Sequence, residues 1–90
     1  LKERFEQLGC AQYLMHRTGH NIGHRCHGIG ANLDDYETHD DRCLLPGTMF
    51  SIEPGLYTDK YGVRLEYDVH ITSEGETKVY GPVQDEILVI

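Results

Sequence analysis

An α+β fold, an antiparallel sheet with helix packed on one side, is what this sequence predicts, on three observations. GVRLEYDVHIT (62–72) alternates strictly, with Val63, Leu65, Tyr67, Val69 and Ile71 against Arg64, Glu66, Asp68 and His70. TMFSIEPGLY (48–57) is a second run of strand-forming residues, in which Phe50 and Ile52 share one face and Met49, Ser51 and Glu53 the other. LKERFEQLG, at the start, spaces Leu1, Phe5 and Leu8 as one face of a helix.

Each element has a local reason. Gly9 suits the position just past a helix end, so the helix is expected over residues 1–9. Ala11–Met15 is short, apolar and partly aromatic, and reads as a strand leading into HRTGHNIGHRCHGIG (16–30). NLDDYETHDDR (32–42) is acidic and aperiodic, a surface loop, and Pro46-Gly47 marks a turn. Pro54 has no N–H and forces Glu53 into extended geometry, so the ladder ends or bulges there. Ser73-Glu74-Gly75 turns the chain, and Thr77–Tyr80 returns as a hairpin partner. EILVI (86–90) reads as a short apolar strand or a docking segment. The only repetition, GHNIG (19–23) and CHGIG (26–30), is too short for a solenoid.

Composition narrows the function classes. Ninety residues, 39% hydrophobic and 26% charged, fit one domain. No apolar run approaches the ~20 residues of a membrane span, and no signal-peptide pattern is present. A net charge of −7 argues against a nucleic-acid partner, since phosphates need clustered lysine and arginine. Three cysteines without CxxC spacing favour a reduced, cytoplasmic setting over a disulfide scaffold. Cys26 beside His27 has the composition of a nucleophile and base, but sequence neighbours rarely face each other, and that pairing is set aside. The opening lies mid-helix without an initiator methionine, so the chain is expected to be part of something longer.

His16, His20, His24 and His27 stand at spacings of four, four and three, which would line one face of a helix. Gly19 and Gly23 contradict that helix, each costing about 0.8–1 kcal/mol relative to alanine. Extended chain with bulges is expected instead, the glycines marking close backbone approach. On a strand His16, His20 and His24 share a face, and a bulge would bring His27 back to it. Spacing does not say which histidine matters. Glu66, on the polar side of its strand, and Glu53, before Pro-Gly, would ordinarily face solvent. If adjacent strands present both inward with a histidine, they form a mixed N/O site suited to Mn²⁺, Co²⁺, Fe²⁺ or Zn²⁺. A bridging carboxylate holds two such ions about 3.5–4 Å apart.

HRTGHNIG, His27, LLPGTMFSIEPGLY and YGVRLEYDVHIT, in that order, resemble the carboxyl-terminal half of a pita-bread-fold metallopeptidase. That family includes methionine aminopeptidase, aminopeptidase P, prolidase and creatinase. HRTGH, ETHD and the PG-x-x-FSIEPG-x-Y run are most similar to its Xaa-Pro aminopeptidase and prolidase branch. The resemblance covers nearly the whole chain and implies that residues 1–90 are the carboxyl-terminal part of a catalytic domain. It implies hydrolysis of an Xaa-Pro amide by a hydroxide bridging two divalent ions, Mn²⁺ foremost, with Co²⁺, Zn²⁺ or Fe²⁺ as alternatives. The substrate would be a peptide with proline at the second position.

Carried over by position, His20, Glu53 and Glu66 resemble metal ligands. Glu53 doubles as general base and Glu66 bridges the ions. His27 resembles the histidine that binds the scissile amide and stabilises the tetrahedral intermediate. His16 lines the substrate pocket, and Arg64 orients a metal-bound carboxylate. His24 departs from the pattern and is left at the surface; His39 and His70 are left as structural. The family's site also needs a pair of aspartates preceding His20, and no aspartate lies there. Asp34, Asp35, Asp40 and Asp41 all follow the histidines, so these ninety residues alone are expected to be inactive. Two alternatives accompany this expectation: a catalytically dead binding module of the same fold, and a stand-alone protein holding a single metal ion. Apolar surface left uncovered would favour association, including a homodimer.

Overall fold

The computed structural model describes residues 1–90, in which one α-helix, one short 3-10 turn and six strands are formed. Helix α1 (Lys2–Gln7) stops where the sequence places its glycine. Gly9 adopts φ +69°, its N–H reaches the carbonyl of Glu6 (3.0 Å), and the N–H of Cys10 reaches that of Phe5 (3.0 Å). Those two bonds satisfy the orphan carbonyls of the last turn. Ala11–Tyr13 is then a 3-10 turn rather than the expected strand, closed by Tyr13 N–H to Cys10 O (3.1 Å) and Leu14 N–H to Ala11 O (3.2 Å). This turn lies against both the end of α1 and the strand at Gly55–Tyr57 and pairs with no sheet edge.

The sheet is antiparallel throughout. Strands β1 (Asn21–Ile22), β2 (Met49–Ile52), β5 (Tyr67–Ile71) and β6 (Thr77–Tyr80) stand in the order β1-β2-β5-β6, and β3 (Gly55–Tyr57) pairs separately with β4 (Gly62–Arg64). Phe50 faces Val69, which faces Val79, and this register sets the small core: Phe50 and Val69 are buried, as are Ser51 and Ala31. The β5–β6 hairpin turns at Gly75 (φ +83°), as its Ser-Glu-Gly signal predicts. Leu45-Pro46-Gly47-Thr48 closes with Thr48 N–H on Leu45 O (3.2 Å) and Gly47 at φ +83°. Proline followed by a left-handed glycine is the residue pattern of a type II turn.

Two breaks in the ladder matter most for function. Pro54 ends β2, as expected. The single strand expected over 62–72 is also interrupted, at Leu65-Glu66, and becomes β4 and β5. No glycine or proline marks this second break; it arises opposite the first. Ile52 pairs with Tyr67 and Gly55 with Arg64 at the same offset, so Glu53 stands across from Glu66, and Pro54 from Leu65, where the ladder is missing. Both carboxylates are thus delivered to one gap by one register.

The apolar tail forms no strand, contrary to one of the two expectations for it: residues 87–90 are almost fully exposed and pair with nothing. The apolar residues of β4 and its continuation, Val63 and Leu65, are exposed as well. The accessible surface is 7122 Å², whereas a compact monomer of this mass exposes about 5,400 Å². Large hydrophobic residues on β4, on β6 (Val79 and Tyr80) and in the tail are among those left exposed. No helix is long and apolar enough to cross a membrane.

The acidic loop is folded on itself. Asp34 accepts the N–H of Thr18 (2.7 Å), and Asp35 accepts the N–H of Asp40 (2.8 Å) and a ring nitrogen of His39 (3.0 Å). Asp40 accepts the N–H of Asn32 (2.9 Å) and the guanidinium of Arg42 (2.8 Å), which also donates to the carbonyls of Ile29 and Gly30. The Arg42 guanidinium, followed by the Asn32 N–H, holds the Asp40 carboxyl far below the ordinary value of 3.8. A folded-state value below the unfolded one contributes stability above pH 3.8, and this is lost as pH falls through the folded value. Asp40→Asn is therefore expected to lower the melting temperature at pH 7 and to flatten its decline at acidic pH. Parallel declines in the two proteins below pH 4 would contradict the clasp.

Candidate metal centre

The segment around β1 runs antiparallel beside β2 beyond the regular pairing. Glu53 N–H donates to Thr18 O (2.6 Å), Ser51 N–H to His20 O (2.9 Å), and His20 N–H to Ser51 Oγ (3.1 Å). Gly19 lies in this close approach, where a Cβ would run into the carbonyl of Ser51. The result sets the His20 imidazole against the Glu53 carboxylate, with Nε2 3.0 Å from Oε1 and both side chains largely buried. Ser51, fully buried, ties the pair together: its hydroxyl donates to Glu53 Oε1 (3.0 Å) while accepting from His20 N–H.

The other His20 nitrogen fixes the chemistry. Nδ1 lies 3.0 Å from the Asn21 carbonyl, which only accepts, so Nδ1 carries the hydrogen. In neutral imidazole Nε2 is then a lone pair aimed at a carboxylate oxygen, an arrangement that only a proton or a cation between them stabilises. Two ligands at right angles in an octahedral shell with bonds of about 2.1 Å stand about 3.0 Å apart. Across the ladder gap Glu66 adds a second negative charge opposite Glu53, and directly opposed like charges destabilise a sheet unless something positive intervenes. Arg64 supplies positive charge beside them, 3.6 Å from Glu53 Oε2 and 3.4 Å from Glu66 Oε2, although it is half exposed. The donor set fits a hard divalent cation.

His27 reaches the same place by a turn. Gly28 N–H binds Asn21 O (2.8 Å) and Gly23 N–H binds Arg25 O (3.1 Å), which folds 23–28 back so that the His27 ring lies 4.3 Å from that of His20. The chain turns back where a bulged strand was expected, and regular strand is confined to Asn21–Ile22. Gly28 and Gly30 approach the buried Asn21 side chain, which donates to Met49 O (3.2 Å) and accepts from Gly30 N–H (3.0 Å). His16 is held by Tyr57, whose hydroxyl donates to Nε2 (2.7 Å) while Nδ1–H donates to Arg17 O (2.8 Å).

These residues line an open cleft of about 410 Å³ with no hydrophobic side chain on its wall. His16, His20, His27, Glu53 and Arg64 all face it, together with Arg17, Asn32 and Glu37. Glu66 is not on that wall, and it does not close with His20 and Glu53 into one tight group; the ligand atoms that do lie within 4.8 Å of one another are those of His20, Cys26 and His27. His24 is exposed, and His39 is bound into the acidic loop. Sequence reasoning missed Ser51 and Tyr57. Ser51 looked like one of several polar residues on a strand face. Tyr57 could have been found as the last residue of the PG-x-x-FSIEPG-x-Y run; in the structure a Cβ at Gly55 would crowd both Tyr57 Oη (2.6 Å) and His16 Nε2 (2.8 Å).

Residues 1–73 match the model of metallopeptidase family M24. The chain is 39% identical over 75 residues to the probable dipeptidase PepE of Mycobacterium bovis, covering 81% of this chain and 19% of that protein. It is 36% identical over 74 residues to the putative dipeptidase YkvY of Bacillus subtilis, covering 78% and 18%. Among solved structures it resembles an X-Pro aminopeptidase from Thermotoga maritima (TM-score 0.82, 27% identity, 99% of this chain and 24% of that one). It also resembles dipeptidase PepE from Mycobacterium ulcerans (0.78, 30%, 97% and 22%) and the prolidase from Pyrococcus furiosus (0.73, 33%, 87% and 22%). The chain spans between 18% and 24% of the length of these relatives. Its fold is that of a segment of the pita-bread architecture, and it belongs to metallopeptidase family M24.

Proposed function

We propose that this chain supplies the histidine and glutamate side of the active site in an enzyme that hydrolyses the amide bond between an amino-terminal residue and proline. The observation that carries the reading is the buried His20–Glu53 pair, its Nε2 lone pair and carboxylate 3.0 Å apart. Divalent ions held by His20, Glu53 and Glu66, two in number and Mn²⁺ foremost, would supply an activated water and polarise the scissile carbonyl. The donors also suit Co²⁺, Zn²⁺ or Fe²⁺.

This chain's own residues do the rest. Glu53 accepts a proton from the attacking water and returns it to the departing prolyl nitrogen. His27, beside His20 and open to the cleft, donates a hydrogen bond to the oxygen that becomes negative as the carbonyl is attacked. His16, oriented by Tyr57, borders the substrate. Arg64, paired with both carboxylates, orients them beside the gap.

Asp34 is held on Thr18, Asp35 and Asp40 are occupied within their own loop, and no aspartate lines the cleft. Full-length protein with Mn²⁺ is expected to hydrolyse Xaa-Pro dipeptides, and residues 1–90 alone are expected to show no turnover. Chromatographic assay of released proline checks both. Turnover by the short segment, or none by the full-length protein with any of the four ions, would contradict this function.

A further inference from the structure

The turn that returns His27 to His20 carries a side chain with no part in peptide hydrolysis. Cys26 is a free, exposed thiol, and its sulfur lies with a nitrogen of His20 and one of His27 in a group whose ligand atoms are all within 4.8 Å of one another. In a tetrahedral zinc set, with Zn–S about 2.3 Å and Zn–N about 2.0–2.1 Å, sulfur and nitrogen stand about 3.5 Å apart. Closing that difference takes side-chain rotation, which Cys26 and His27 are free to make because both are exposed. The backbone is already tied by Gly28 N–H to Asn21 O and Gly23 N–H to Arg25 O, so little main-chain order remains to be lost on binding. One thiolate and two imidazoles form a soft set, unlike the oxygen-rich His20–Glu53–Glu66 arrangement.

We propose that His20, Cys26 and His27 form a second metal site, selective for Zn²⁺, that shares His20 with the carboxylate set and so excludes it. Binding deprotonates the thiol, the proton passes to solvent, and a sulfur–metal bond forms with no change of oxidation state. Zinc in excess then withdraws both His20 and His27 from hydrolysis. That consequence rests on the peptidase function; the site itself does not.

Co²⁺ is the probe, since a thiolate ligand gives it a near-ultraviolet sulfur-to-cobalt charge-transfer band. The band is expected in the native protein, in Cys10→Ser, in Cys43→Ser and in Glu53→Gln, which loses hydrolysis but not sulfur. It is expected to vanish in Cys26→Ser, with Zn²⁺ affinity weakened about tenfold or more in competition titrations. Absence of the band in the native protein, or its survival in Cys26→Ser, overturns the site. Exclusion is read separately: Zn²⁺ added to the Mn²⁺-loaded full-length enzyme should suppress hydrolysis in the native protein and spare Cys26→Ser. Equal suppression in both overturns the exclusion. A band confined to proteins bearing Cys26, alongside no peptidase activity with any metal, supports the site while refuting the proposed function.

Discussion

Glu53→Gln in the full-length protein is expected to lower kcat/KM for an Xaa-Pro dipeptide about 10²–10⁴-fold, the range associated with loss of a general base. The substitution keeps shape and volume, and the remaining carbonyl oxygen still accepts the Ser51 hydroxyl. What it removes is the charge that faces His20 Nε2 and Arg64, and with it the capacity to take a proton from water. Metal affinity should fall as well, because one hard anionic ligand has become neutral. Steady-state kinetics with circular dichroism as a control for folding checks this. Activity within a few-fold of the native enzyme would mean that Glu53 neither binds metal nor moves protons.

Gly19→Ala is expected to be the most damaging single methyl in the chain. Its Cβ would meet the main-chain carbonyl of Ser51, which cannot swing aside, and the Leu33 side chain at 2.7 Å. Overpacking of this kind costs about 1–3 kcal/mol. Here the strain falls on the pairing of residues 18–20 with 51–53, which helps set His20 against Glu53. Stability and metal binding should therefore be lost together. Gly9→Ala is the useful comparison, since nothing lies within 4 Å of its Cβ and only its positive φ opposes the change. Chemical denaturation of both variants, with metal titration, tests the difference; native-like metal affinity in Gly19→Ala would contradict the placement.

What could be read from the sequence was whatever a local rule controls. The existence of strands β2 and β5, the glycine stops and turns, and the break at Pro54 all follow from period, φ and a missing N–H. Glycine content also excluded a helix through the four histidines. The break at Leu65-Glu66 was not legible, because its cause is long-range: β4 and β5 lie along β3 and β2, and the interruption at Glu53-Pro54 is imposed on the facing chain. Ala11–Met15 failed as a strand because the chain turns in a 3-10 geometry directly after the end of α1.

The site was legible as residue types in an order, and its three-dimensional logic was not. Nothing in the spacing of His20 and His27 foretells that Asn21 holds the turn bringing them together through its carbonyl and its amide. Nor does spacing reveal Ser51 as the link between imidazole and carboxylate. Cys26 was discounted because neighbours in sequence rarely converge. The 23–28 turn brings its sulfur, the His27 ring and the His20 ring together.

One antiparallel register delivers Glu53 and Glu66 to the same gap, and the proposed function requires both carboxylates to hold metal there together with His20. Anomalous diffraction from crystals of the full-length protein grown with Mn²⁺ tests it most directly. Anomalous peaks between His20 Nε2 and the Glu53 carboxylate, with Glu66 also ligating, are the expected result. Manganese bound away from these three side chains, or none bound at saturating concentration, would contradict it.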